Sequence, residues 1–176
     1  MKNYIYIFFL LIISACSFTS GGLEEPKKYV NKLLINGVED EIKFAELEQF
    51  LKLPANKNYN IELTFYTGTT TAVYQPTRSY SGVGSYFKFN LWSQDSSVAS
   101  GTYKIDGFVN QDFSISKATA ELNVDWRTDE SDFGSFLDGA VEVENLGDGS
   151  YKIDMYCTDY EGNPVTAHYE GEFYKI

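Results

Sequence analysis

Histidine is nearly missing from this 176-residue chain; His168 is the only one. A multi-histidine metal centre is therefore excluded. The two cysteines, Cys16 and Cys157, are too far apart for zinc-type C-x-x-C spacing. The chain also lacks G-x-S-x-G, H-E-x-x-H and the P-loop pattern, so no catalytic signature assigns an activity. Proline is scarce, at 4 residues, and neither a βαβ alternation nor a solenoid repeat is visible. Positive charge is short: 14 Lys and Arg face 25 Asp and Glu, a net −11. Such a surface repels nucleic acid and anionic headgroups, which excludes DNA and RNA as natural partners. Long apolar runs are absent too. The longest, Tyr4 to Ala15, has 12 residues, well short of the roughly 20 a helix needs to cross a bilayer.

That run follows Lys2 and Asn3 and ends in the small residues Ser14 and Ala15 before Cys16. A positive start, a short apolar centre and small residues at a cut site are the parts of a secretory signal peptide. Ile13-Ser14-Ala15-Cys16 resembles the lipobox of bacterial lipoproteins. The resemblance implies that residues 1–15 are removed and that the Cys16 thiol carries a diacylglycerol. Palmitate-type chains would then hold the protein in the cell envelope, at the outer membrane on its periplasmic or surface face. Each buried methylene contributes about 0.8 kcal/mol, so two or three chains make a lasting anchor. Residues 16–27, rich in Ser, Gly and charge, read as a lipidated tether, and residues 28–176 as one β domain. Loss of Lys2 with the leader takes the net charge from −11 to −12. Membrane attachment would therefore depend on the lipid.

Tyr and Phe number 14 and 13, and aromatic side chains suit a pleated, half-buried surface. Period-two alternation recurs along the domain. Tyr59, Ile61, Leu63 and Phe65 form one inner set, Phe87, Phe89 and Leu91 another. Ala118, Ala120, Leu122, Val124 and Trp126 form a third, and Val141 with Val143 a fourth. One wet and one dry face per strand predicts an all-β fold, an antiparallel β-sandwich with a small calycin-like barrel as the alternative. Asn36-Gly37 and Asp148-Gly149 are hairpin turns, and the last three strands read as a meander. One segment departs from the alternation. In KFAELEQFL the residues Phe44, Leu47, Phe50 and Leu51 fall at helical spacing before Pro54, which predicts a short helix.

The early Asn-Gly hairpin, the middle SGTYKIDG and the closing GAVEVENLGDGSYKIDMYCTDYEGNPVTAHYEGEFY together resemble small lipoproteins common in Bacteroidota. That resemblance implies a sandwich or calycin-like barrel without assigning an activity.

Few residues suggest chemistry. Cys157 alternates with Tyr151, Ile153 and Met155, placing it on a strand's apolar face as an inert core thiol. His168 shares a face with Thr166, Glu170 and Glu172 and reads as a solvent-facing imidazole near carboxylates. Asp125, Asp129, Glu130 and Asp132 read as a solvated acidic loop, with spacing unlike an EF-hand. The most suggestive stretch is Thr69 to Phe87, too long and polar for a simple turn. It interleaves Tyr74, Tyr80 and Tyr86 with Gln75 and Arg78, and Trp92 shares the outward face of Tyr86. Tyrosine presents a flat apolar ring with a hydroxyl, so these six residues could stack on a sugar or bind an envelope protein. The competing expectation is that the rings cover a sheet edge. The sequence thus predicts a non-enzymatic binding or accessory module without a cofactor or metal. A structural or adhesive surface component is the alternative, and a carboxylate-dependent glycoside hydrolase the weaker one.

Overall fold

The computed structural model describes residues 31–35, 37–50 and 52–176. Residues 1–15, expected to be a signal peptide, Cys16 and the expected tether of residues 16–27 lie outside them, as do Asn36 of the first turn and Leu51. The first five strands are β1 (Lys32–Ile35), β2 (Val38–Gln49), β3 (Tyr59–Thr67), β4 (Thr71–Val73) and β5 (Ser79–Ser81). Then come β6 (Val83–Ser93), β7 (Gly101–Ile105), β8 (Ser114–Asp125), β9 (Glu130–Gly147), β10 (Ser150–Asp159) and β11 (Pro164–Lys175). The described residues contain no helix.

Nine strands close on themselves in the order β1-β11-β10-β9-β7-β8-β6-β3-β2, and β2 pairs back onto β1. The expected sandwich gives way to a closed barrel. Alternation alone is compatible with both, because each strand has one dry face in either case. Curvature decides between them. The ladders shift register at Ile42/Phe44 in β2, at Gly84/Tyr86 and Asn90/Leu91 in β6, and at Leu122/Asp125 in β8. Bulges of this kind bend and twist a strand, which lets the sheet curl until its edges meet. The short β1 and β7 act as wedges. Past them β11 pairs directly with β2, Phe173 opposite Ala45, and β8 with β9, Ala120 opposite Gly134.

The described part of the predicted helix is the second half of β2, from Lys43 to Gln49, with Phe50 just beyond it. Ala45 and Leu47 lie opposite Phe65 and Leu63 and are buried inside, while Phe44 and Glu46 face outward. The helical spacing begins with Phe44, which is apolar yet faces outward because it has an aromatic partner on the outer wall, Tyr66, 4.5 Å away. An outward apolar residue added to an inward set mimics a 3.6-residue period.

The inner sets of β3, β6, β9 and β10 point inward as the alternation predicts, and Cys157 lies among them with its thiol pushed up to about 12 by burial. Aromatic rings fill the interior. Phe65 makes edge contacts with Phe89, Tyr169 and Phe173, and Phe136 stacks on Phe87 and Phe89 at 5.9 and 5.7 Å. The gap among Leu33, Phe65, Phe87, Met155 and Tyr169 measures about 10 Å³, at the lower limit for one water. The barrel is a packed core without room for an internal ligand there. The Asp148-Gly149 turn has φ of 53° and 85°, which suits a two-residue hairpin, and β9, β10 and β11 form the expected antiparallel meander.

Candidate functional site

The stretch expected to be a long loop is a small hairpin instead. β4 and β5 pair with each other, Ala72 opposite Tyr80, and form a two-stranded sheet separate from the barrel. The hairpin leaves the barrel wall through Gly68 and returns through Gly82, whose φ values of +70° and +98° favour glycine. A Cβ at Gly68 would stand 2.5 Å from the Val83 carbonyl oxygen, so the neck has no space for a side chain. Between these points the hairpin folds as a flap over the outside of β2, β3 and β6.

Beneath the flap is a buried carboxylate. Glu46 projects outward from β2 yet is only 2 % exposed. The Tyr74 hydroxyl donates to its Oε1 at 2.9 Å, and Tyr80 donates to Oε2 at 2.7 Å. Tyr66, from the barrel wall, reaches Oε2 at 2.9 Å, and Arg78 Nη1 stands 4.0 Å from the same oxygen and 3.5 Å from Glu48. A buried charge is costly unless hydrogen-bonded and paired, and three hydroxyls with one guanidinium supply that compensation. Burial and the neighbouring carboxylate push Tyr66 and Tyr74 well above the ordinary phenol range and Tyr80 up to about 12. All three therefore keep their protons, and can donate, at physiological pH.

The rings form one continuous cluster. Tyr80 stacks on Tyr66 at 5.1 Å and leans on Trp126 at 4.8 Å, while Tyr86 stacks on Trp126 at 5.7 Å. The Tyr86 hydroxyl donates to Glu121, and the Trp126 indole N–H donates to Thr70 Oγ1 at 3.3 Å. At the flap's other side Tyr74 stacks on Tyr174 at 5.4 Å. An open groove of about 380 Å³ runs there, lined by Phe44, Tyr74, Tyr174, Lys43 and the Gly68–Ala72 turn.

Of the six predicted residues, Tyr74, Arg78, Tyr80 and Tyr86 come together in this cluster, and Gln75 is exposed at the flap tip. Trp92 does not join them. It is 4 % exposed and its indole N–H donates to Ser116; six residues along β6 from Tyr86 put it roughly 20 Å away. Sequence reasoning missed Glu46, Tyr66, Trp126, Phe44 and Tyr174. Trp126 had been placed in the inner set of β8. Asn123, at φ 55° within the β8 bulge, interrupts that alternation, and the indole beyond it packs in the outer cluster. A signal for Tyr66 was present: of two successive aromatics in a strand, Phe65 and Tyr66, one must point outward.

The remaining candidates carry less chemistry. His168 is half-buried and not fully solvent-facing, with Nδ1 2.6 Å from Asp154 Oδ1 across β10 and β11. Asp125 is clasped by the Arg127 guanidinium, at 2.7 and 3.0 Å, which holds its carboxyl down at about 2. Among the described residues no group of three His, Cys, Asp or Glu is placed to hold a metal ion. Comparisons of the chain with protein-family models, curated proteins and solved structures returned no match. The geometry of this outer wall is accordingly the basis for a functional reading.

Proposed function

We propose that this chain is an envelope lipoprotein acylated on Cys16, whose barrel serves as a non-enzymatic binding module with a neutral glycan as its ligand. The observation that carries the reading is the groove beside the flap, with Tyr174 55 % exposed along it. The middle of the barrel is filled and the cavity at its end, among Ile35, Leu122, Phe136 and Tyr160, measures about 140 Å³; the outer wall offers the larger space, of about 380 Å³, with the rings of Phe44, Tyr74 and Tyr174 along it. A neutral saccharide suits a surface that stays strongly acidic after loss of Lys2 with the leader, from net −11 to −12, and so repels acidic polymers.

Substituting Tyr74 and Tyr80 by alanine would be a poor test, since both hydroxyls hold Glu46 and their loss disturbs the fold. Tyr174 is the cleaner probe. Tyr174→Ala is expected to weaken retention on an array of neutral hexasaccharides by about tenfold or more. Its melting temperature should stay close to the parent's, as for other exposed positions. Unchanged retention would remove the groove from consideration. The anchor is tested separately: radiolabelled palmitate should enter the parent chain and not the Cys16→Ala variant.

The commitment of the Tyr74 and Tyr80 hydroxyls to Glu46 favours a second reading, a structural or adhesive surface component whose tyrosines serve packing. On that reading no glycan is retained and Tyr174→Ala instead reduces self-association.

A further inference from the structure

The flap hides a surface of the same kind as the one it borders. Under it Tyr66, Tyr86 and Trp126 form an aromatic floor on β3, β6 and the end of β8, with centroids 5.7 to 6.3 Å apart. Glu46 stands at the edge of that floor. The flap occupies it in a specific way: the Tyr80 ring lies on Tyr66 and Trp126, and Tyr74 and Tyr80 each donate a hydroxyl to a different oxygen of the Glu46 carboxylate. A saccharide presents the same two features, a flat face of C–H groups for an aromatic ring and neighbouring hydroxyls for the two oxygens of one carboxylate.

Lifting the flap would not require the sheet to break. β4 and β5 share no ladder with the barrel, and the neck is formed at Gly68 and Gly82, beside the Thr69 to Val83 hydrogen bonds. What holds the flap down is the stacking of Tyr80 on Tyr66 and Trp126 and of Tyr74 on Tyr174, the carboxylate clasp, Arg78 against Glu46 and Glu48, and the Trp126 to Thr70 bond. A cover made only to bury apolar rings would do better without a charge beneath it, since an apolar replacement is often at least as stable as a buried ion.

We propose that the β4–β5 flap is an occluding lid over a glycan site built from Glu46, Tyr66, Tyr86 and Trp126, in which Tyr74 and Tyr80 hold the place of a ligand's adjacent hydroxyl pair. This rests on reading the outer wall as a glycan-binding face. The apparent affinity is then reduced by the fraction of molecules whose flap is closed, so loosening the flap strengthens binding as long as the floor is intact.

Two variants of the full chain separate this from a structural role. Tyr74→Phe with Tyr80→Phe keeps the rings and removes both flap hydroxyls, and Glu46→Gln keeps the shape and removes the charge. Both should loosen the flap, read as increased acrylamide quenching of Trp126, with the buried Trp92 as a constant background. Binding of neutral hexasaccharides in gluco, manno, xylo and galacto configuration should move in opposite directions: about tenfold tighter in the phenylalanine pair and about tenfold weaker in Glu46→Gln, the scale of one charge-assisted hydrogen bond. Affinities that shift the same way in both variants would overturn the proposal. So would a phenylalanine pair whose Trp126 becomes accessible without a gain in binding. If Tyr174→Ala removes binding while the flap variants leave it unchanged, the open groove stands and the hidden site falls. If no probe binds even the loosened protein, both fall.

Discussion

Glu46→Ala is expected to lower the unfolding free energy by about 3 kcal/mol, the range for removing one partner from a buried, hydrogen-bonded charge. The carboxylate accepts from Tyr66, Tyr74 and Tyr80, and its loss leaves the Tyr66 hydroxyl, on a side chain 5 % exposed, without its acceptor. Tyr66 and Tyr80 lie 2.9 Å apart, so they can pair with each other and recover part of the loss. The flap pair can turn to water, which caps the cost. Urea denaturation of the parent, Glu46→Ala, Tyr66→Phe and the double variant would measure it, with a coupling between the two sites of about 1 kcal/mol or more. A coupling near zero would mean that the clasp contributes nothing. The alkaline limb offers a second readout. Unfolded tyrosines ionise near the ordinary value of 10, while burial and Glu46 keep Tyr80 protonated to about 12. Its stabilising contribution is complete below pH 10 and is lost as the pH rises toward 12. In Glu46→Ala this loss should be smaller, because part of the upward shift disappears with the carboxylate.

Phe89→Ala should cost about 3 to 5 kcal/mol, as large-to-small changes do in cores that cannot collapse around the gap. Phe89 is fully buried, stacks on Phe136 at 5.7 Å and meets Phe65 edge-on at 6.3 Å. Closure of the barrel limits how far its walls can move inward. Phe108, 57 % exposed, serves as the comparison, and Phe108→Ala should stay within about 0.5 kcal/mol of the parent. The midpoint of urea unfolding measures both. A small effect at Phe89 would mean that the interior is looser than its packing implies and that the barrel could admit a ligand after all.

Much of the wall was legible in the sequence because side-chain direction in a strand is a local property. Ile61, Leu63, Phe65, Phe87, Phe89, Val141, Val143, Ile153 and Met155 point inward as their alternation requires. Two departures have different physical sources. A bulge in β8 adds a residue to one strand without its partner, and side-chain parity changes there. The β8 bulge displaced Trp126 from the expected inner set, and in β2 an outward Phe44, covered by Tyr66, gave the look of a helix. Trp92 lies apart from the cluster and is covered: parity says which face a residue takes but not whether something covers that face.

The binding face was half legible. Tyr74, Arg78, Tyr80 and Tyr86 stood out as aromatic and polar residues in a segment too long and polar for a simple turn. Glu46 did not stand out, since it is 1 of 25 acidic residues and nothing local distinguishes it from the solvated ones. Its burial arises from a hairpin that begins some 25 residues later in the chain.

Composition and alternation by themselves determined that the domain is all-β, that each strand has one dry face, and that Cys157 lies in the core. They did so because these properties depend on a residue and its immediate neighbours. Only the tertiary structure decided that the sheet closes into a barrel, that a flap lies on its outside, and that three tyrosines meet one carboxylate. Each of those depends on register and curvature summed over many strands, and on contacts between residues far apart in sequence.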